Sequence, residues 1–267
     1  MRYVADGSQP RVGLCSPLGR PWPDRLLLGN LLHGSLGILH YNLPRADMLC
    51  PVCLGGIMRL NLGCGSKKIS GWVNVDKVAA CSPDQMVDLE KFPWPWPDNS
   101  VEAVSLSHVL EHLGGETKIY LGIIKELYRV CRDRAKIFIA VPHPRHDDFL
   151  TDPTHVRAIT PEGLRMFSQS ANREWIAGGF ANTPLGLYIG VDFAIDFVNA
   201  IPDEPWKGRF ERKEISLADL QNAARKYNNV MREFRVVMHP IKQTTAEVEC
   251  DQLSSPHRRR PQAEDQH

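Results

Sequence analysis

From residue 58 onward, apolar and polar positions fall into short repeating blocks. Met58–Leu62 is an apolar run that ends in Gly63-Cys64-Gly65, as a buried strand entering a tight loop would. Trp72–Val75 alternates and ends at Asp76. Gln85–Leu89 is a short strand closing in an acidic turn, and Val101–Ser107 is a fourth strand. Across 116–131 the apolar residues Ile119, Ile123, Leu127 and Val130 recur at helical spacing and predict an amphipathic helix. Ala135–Val141 is a strongly β-branched fifth strand stopped by Pro142. Thr160 then stands as N-cap with Pro161 at the first helical position, where a missing N–H costs nothing. Leu187–Ile201 reads as a strand, Leu217–Tyr227 as a helix and Val230–Met238 as a last alternating strand. Strands interleaved with helices predict a mostly parallel sheet of about seven strands with both faces covered, spanning 58–240.

The flanks differ. Residues 1–57 hold five Arg, no Lys and no Glu, with six Pro and eight Gly and no periodicity. This stretch is an irregular arm, a small lobe or a segment upstream of a start at Met48 or Met58. Its Cys50-Pro-Val-Cys53 is a lone CxxC, whereas a structural zinc site takes four ligands. Residues 241–267 form a polar tail ending near Arg258-Arg259-Arg260. The longest apolar stretch, Leu26–Leu39, has 14 residues broken by Asn30, His33 and three Gly, short of the roughly 20 that a span needs. Lys+Arg 32 against Asp+Glu 31 leaves a net charge of +1, so no global basic field holds long nucleic acid. Seven irregularly spaced Cys fit a reducing compartment, and the expectation is a cytoplasmic protein without membrane association.

Chemistry concentrates first at Leu60-Asn61-Leu62-Gly63-Cys64-Gly65, after a strand, where α/β sheets bind nucleotide-like ligands. A dinucleotide fingerprint would need Gly at position 68, which is Lys68, and the phosphate-binding GxxxxGK[ST] pattern is absent. NAD and ATP readings both weaken. The pieces LNLGCG (60–65), GWVNVD (71–76), VDL (87–89), PWPDNSVEAVSLSHVLEHL (95–113) and ELYRVCR (126–132), with DPTHVRAITPEGL (152–164) farther on, resemble a class I S-adenosylmethionine-dependent methyltransferase of the type 11 group. The resemblance implies a Rossmann-like three-layer α/β sandwich and S-adenosyl-L-methionine as cofactor. It further implies that Gly63, Cys64 and Gly65 pass beneath the methionine part, and that Asp76 accepts from the ribose hydroxyls. Asp88 and Leu89 would lie near the adenine, with Ser107 and His108 on the sulfonium side. Asn61 stands where the group often has an acid, and the helix after the Gly loop shrinks to 66–70.

Other readings stand beside these. Asp76 and Asp88 are also ordinary strand-end turn residues. His108 and His112, four apart, are either a metal pair or one structural and one solvated histidine. Trp94 and Trp96 either stack on adenine or pack a rigid loop. His143, His146, Asp147, Asp148, Asp152 and His155 cluster within 13 residues, which read alone suggests a divalent-metal site and metal-dependent hydrolysis. No metal ligands are assigned, because the spacing fits no recognised signature. For methyl transfer to an O or N nucleophile on a small or sugar-like acceptor, His143 or His155 is the candidate base and Arg157 the clamp. A non-catalytic binding module on the same fold is the remaining alternative, supported by Asn61.

Overall fold

The computed structural model describes residues 58–242. The N-terminal arm with Cys50 and Cys53, the apolar stretch 26–39 and the tail with Arg258–Arg260 lie outside the described residues. Seven strands form one sheet: β1 (Met58–Leu62), β2 (Val73–Asp76), β3 (Gln85–Met86), β4 (Val101–Ser107), β5 (Cys131–Pro142), β6 (Phe193–Pro202) and β7 (Met231–Pro240). Their order is β3-β2-β1-β4-β5-β7-β6, parallel throughout except that β7 runs antiparallel to both β5 and β6. The helices are α1 (Thr117–Val130), α2 (Asp147–Leu150), α3 (Pro161–Arg165), α4 (Gln169–Ala177), α5 (Leu185–Ile189), α6 (Trp206–Glu211) and α7 (Leu217–Lys226). This is a Rossmann-like α/β architecture with a mostly parallel sheet.

One sheet face makes the core. Leu60, Leu62, Val104, Leu106, Ile137, Ile139, Val236 and Met238 are buried together with Ile123, Ile124 and Leu127 of α1 and with Leu220 and Ala223 of α7. Strict alternation explains this, since every second residue of each strand points to the same side. The opposite face carries, in register across the sheet, Asn61, Ser105, Phe138, Val237 and Phe197. Asn61 is buried there, while the row from Ser105 to Phe197 is half-buried or exposed.

Local signals hold at several ends. The Thr160 hydroxyl accepts the Gly163 N–H at 3.0 Å with Pro161 leading α3. Ser216 and Asp219 close a reciprocal capping box on α7. Three expectations change. Leu187–Ile201 is not one strand: α5 ends at Gly190 in the left-handed region (φ 70°), and β6 starts only at Phe193. The helix is fixed by distant partners, with Leu187 N–H donating to Asn172 Oδ1 and Gly186 N–H to Met166 O. No helix forms over 66–70, where the chain turns instead. The third strand is only Gln85–Met86. Among the described residues no helix is long and apolar enough to cross a membrane.

Candidate functional site

The carboxyl ends of β1, β2 and β4 converge at one sheet edge, the edge at which open α/β sheets bind ligands. After Leu62, Gly63 turns with φ 64° and Gly65 with φ 48°. A Cβ on Gly63 would meet Val109 Cγ2 at 2.5 Å, whereas a Cβ on Gly65 would meet nothing within 4 Å. Gly63 therefore lets the loop lie against Val109, and Gly65 borders open space. The loop is tied to β2 by the Cys64 N–H to Val75 O bond (2.9 Å). Asp76 completes the tie, as Oδ2 accepts the Gly65 N–H and Oδ1 the Val78 N–H, each at 2.9 Å. Each carboxylate oxygen keeps a second lone pair for a hydroxyl donor.

Asn61 has a defined part here. Its buried amide donates to Lys67 O and to Asn74 Oδ1, both at 2.9 Å, and Asn74 Oδ1 also accepts the Ile69 N–H. All of Asn61's named partners are acceptors, so a carboxylate would face them with nothing to donate. The asparagine pair does for residues 66–72 what a helix would otherwise do. Burial, and then the Asp76 carboxylate, push the Cys64 thiol up, so Cys64 is a small buried group and not a nucleophile.

The adenine-side expectations are placed differently from one another. Asp88 sits in the turn after β3, with Oδ1 accepting the Glu90 N–H and Lys91 3.6 Å from Oδ2. Leu89 is buried in the core, and its carbonyl accepts the Trp94 indole N–H. Trp94 and Trp96 pack edge to face at 5.7 Å, both buried, as loop anchors.

At the end of β4 Ser107 is exposed, and His108 just after it takes φ 56°. The ring of His108 lies between two carboxylates, with Nδ1 3.4 Å from Glu111 Oε1 and Nε2 2.9 Å from Glu233 Oε2. Glu111 and then Glu233 stabilise its cation, against burial, and raise it to about 9. Glu233 was not legible as a partner, because it comes from β7, antiparallel and distant in the chain, whereas Glu111 lies only three residues on.

The 143–155 cluster does not converge. His143 packs on Phe234, with Nδ1 accepting the Arg145 N–H at 3.1 Å. Burial, followed by the charges of Arg145 and His146, lowers it to about 4. It lines a cavity of about 420 Å³ with Arg145, Glu162, Met231 and Phe234. His146 Nε2 binds Asp203 Oδ2 at 2.9 Å, Asp148 pairs with Arg232, and Asp147 with Asn229. His155 keeps only Asp152 of the group nearby, 3.9 Å from its Nε2, stacks on Phe149, and lies tilted against His112 with ring centroids 4.5 Å apart. Arg157 lies over the Tyr120 ring at 4.4 Å and donates to Gly114 O, while its Nε is buried without a partner. His108 and His112 do not share an α-helical face, since only a 3-10 turn, Leu110–His112, separates them.

The strand order, with the Gly turn and Asp76 at adjacent central strands and β7 inserted antiparallel, now stands beside the motifs of 60–132. The fold is a Rossmann-like α/β fold, consistent with that of the class I methyltransferases the motifs resemble. No protein-family model and no curated protein sequence matches the chain. Solved structures that are similar include a SAM-dependent methyltransferase from Archaeoglobus fulgidus, at 17% identity and TM-score 0.46, covering 69% of this chain and 87% of that one. The YcgJ protein from Bacillus subtilis is similar at 12% identity and TM-score 0.42, covering 73% and 95%. A possible histamine N-methyltransferase from Thermotoga maritima is similar at 13% identity and TM-score 0.40, covering 72% and 84%.

Proposed function

We propose that the protein transfers a methyl group from S-adenosylmethionine to an oxygen or nitrogen nucleophile on a small or sugar-like acceptor. The observation that carries this reading is the Gly63–Gly65 turn bordering open space while its own N–H is locked to the Asp76 carboxylate. Such a preformed cradle suits a ligand whose backbone approach a side chain would block, and whose vicinal hydroxyls need a fixed acceptor. Gly63, Gly65 and Asp76 would hold the cofactor, with Ser107 and His108 toward its reactive end. The cofactor supplies an activated methyl on a sulfonium together with its leaving group. The chain's own contribution is therefore alignment and, where the acceptor carries a proton, its removal.

Of the two candidate bases, His155 suits that work better. His143 is depressed to about 4 and its Nδ1 lone pair is already engaged. The His155 ring is oriented by Nδ1, whose N–H donates to Phe149 O at 2.8 Å, leaving the Nε2 lone pair available. His108, held cationic, is a donor and not a base at neutral pH. Arg157 is committed to the Tyr120 face and Gly114, so its part is to shape the site wall. The Asn61 amide has a structural reason, which removes the support it lent to a binding module without chemistry.

The test is calorimetric titration of S-adenosylhomocysteine into the full chain, with Asp76→Asn and Asp76→Ala as variants. One-to-one binding is expected, weakened by about 1–3 kcal/mol in Asp76→Ala through loss of a fixed acceptor. Absence of binding to a folded native chain overturns the reading.

A further inference from the structure

Three side chains from two separate segments meet beside the proposed site. One ligand atom from each of Glu111, His112 and His155 lies within 4.8 Å of the other two. Glu111 is fully buried, and neither of its carboxylate oxygens has a hydrogen-bond partner; His108 Nδ1, at 3.4 Å, is out of line for one. The His108 cation offsets part of the Glu111 charge, but both buried oxygens still lack a hydrogen bond, and that deficit needs a reason.

The two rings fix their own tautomers. His155 Nδ1 lies 2.8 Å from Phe149 O, and a carbonyl only accepts, so Nδ1 carries the proton and Nε2 the lone pair. His112 Nδ1 lies 2.9 Å from Thr154 Oγ1, whose single hydrogen is donated to Asp152 Oδ1 at 2.6 Å. The hydroxyl therefore accepts from His112 as well, which leaves the His112 Nε2 lone pair unused. Asp152 Oδ2 stands a further 3.9 Å from His155 Nε2. Thus two imidazole lone pairs and a carboxylate face one another with no hydrogen-bond donor among them. One added proton would serve one of these contacts; a divalent ion serves all three together. A ring whose Nδ1–H is held by a carbonyl or hydroxyl, presenting Nε2, is also the arrangement that orients metal-ligating histidines.

We infer that Glu111, His112 and His155 form a site for a divalent first-row transition-metal ion. Two imidazoles and one carboxylate are a ligand set that suits Zn²⁺ or Fe²⁺, at bonds of about 2.0–2.2 Å. Three protein ligands leave a coordination position open to water or to an acceptor atom. With the ion bound, the His155 lone pair is committed to it, and lowering the pKa of a coordinated hydroxyl becomes the ion's task. The site itself does not depend on the methyl-transfer reading.

The test is Co²⁺ titration of the chelator-treated full chain, followed by visible absorption and calorimetry, with Glu111→Gln and His155→Gln as variants. Expected are one equivalent of Co²⁺ with nitrogen–oxygen ligand-field bands, and affinity reduced at least about tenfold in each variant. If Glu111→Gln does not fold, His155→Gln and His112→Gln carry the comparison. The inference is overturned by no binding, by affinity unchanged in the folded variants, or by a thiolate-to-cobalt charge-transfer band that would report Cys50 and Cys53 instead. Because no cofactor is present in the titration, failure here leaves S-adenosylhomocysteine binding to be judged separately.

Discussion

The two halves of the sheet are built by different means. On one side β1, β2 and β3 have 5, 4 and 2 residues; on the other β5, β6 and β7 have 12, 10 and 10. The long half buries Ile137, Ile139, Val236 and Met238 against α1 and α7. The short half is connected by loops, and its order comes from side chains bonded to backbone. Asn61 and Asn74 hold 67–72, Asp76 holds Gly65 and Val78, and Asp84 Oδ2 takes both the backbone and side-chain N–H groups of Asn74 at 2.8 Å. Apolar burial is non-directional and supports global stability, whereas hydrogen bonds fix positions. The half that carries the proposed cofactor site thus takes its loop geometry from hydrogen bonds, while its Leu60, Leu62 and Val75 join the core that the longer strands extend.

That contrast breaks most readily in the long half. Ile137→Ala, at a fully buried position of β5 between β4 and β7, is expected to cost about 2–5 kcal/mol in denaturant unfolding. Next comes Asn61→Asp, expected to cost about 2–3 kcal/mol at neutral pH by placing a carboxylate against Lys67 O and Asn74 Oδ1. Burial favours the neutral acid, so this loss shrinks as pH falls. A larger loss for Asn61→Asp than for Ile137→Ala would reverse the division of labour. Gly63→Ala should cost about 1–3 kcal/mol, from the positive φ and the Val109 contact, and should weaken S-adenosylhomocysteine binding as well.

A smaller effect joins the halves, because His108 follows β4 and Glu233 lies on β7. The folded value of His108, about 9, exceeds its ordinary 6.5, so folding binds a proton there. Its contribution is complete below pH 6.5 and is lost as pH rises through about 9. Thermal unfolding between those limits should show a decline that His108→Gln flattens. Least of all, Asp148→Asn at the exposed pair with Arg232 should change stability by less than about 0.5 kcal/mol.

Much of this was open to reading along the chain. The bounds of β1 match the apolar run Met58–Leu62 and those of β4 the segment Val101–Ser107, and α3 begins where Thr160-Pro161 says it must. The Leu187–Ile201 run misled because apolar content alone does not separate a buried helix turn from a strand. Asn172 and Met166 decide it from outside the run. The His and Asp residues of 143–155 looked like one site because proximity in sequence was the only available measure. Folding sends His146 to Asp203, Asp148 to Arg232 and His155 to His112.

What the sequence determined by itself was the periodicity, the caps and the order of strands and helices along the chain, each set by residues within a turn or two of one another. It also determined that a Gly turn follows the first described strand and an acid closes the second. Tertiary structure alone decided which groups share an environment: the His108 cation between Glu111 and Glu233, and the donor-free meeting of Glu111, His112 and His155. The reason is physical. Local conformation is governed by short-range sterics and hydrogen bonds, whereas a site's charge and coordination depend on burial and on groups the sheet brings together from far along the chain.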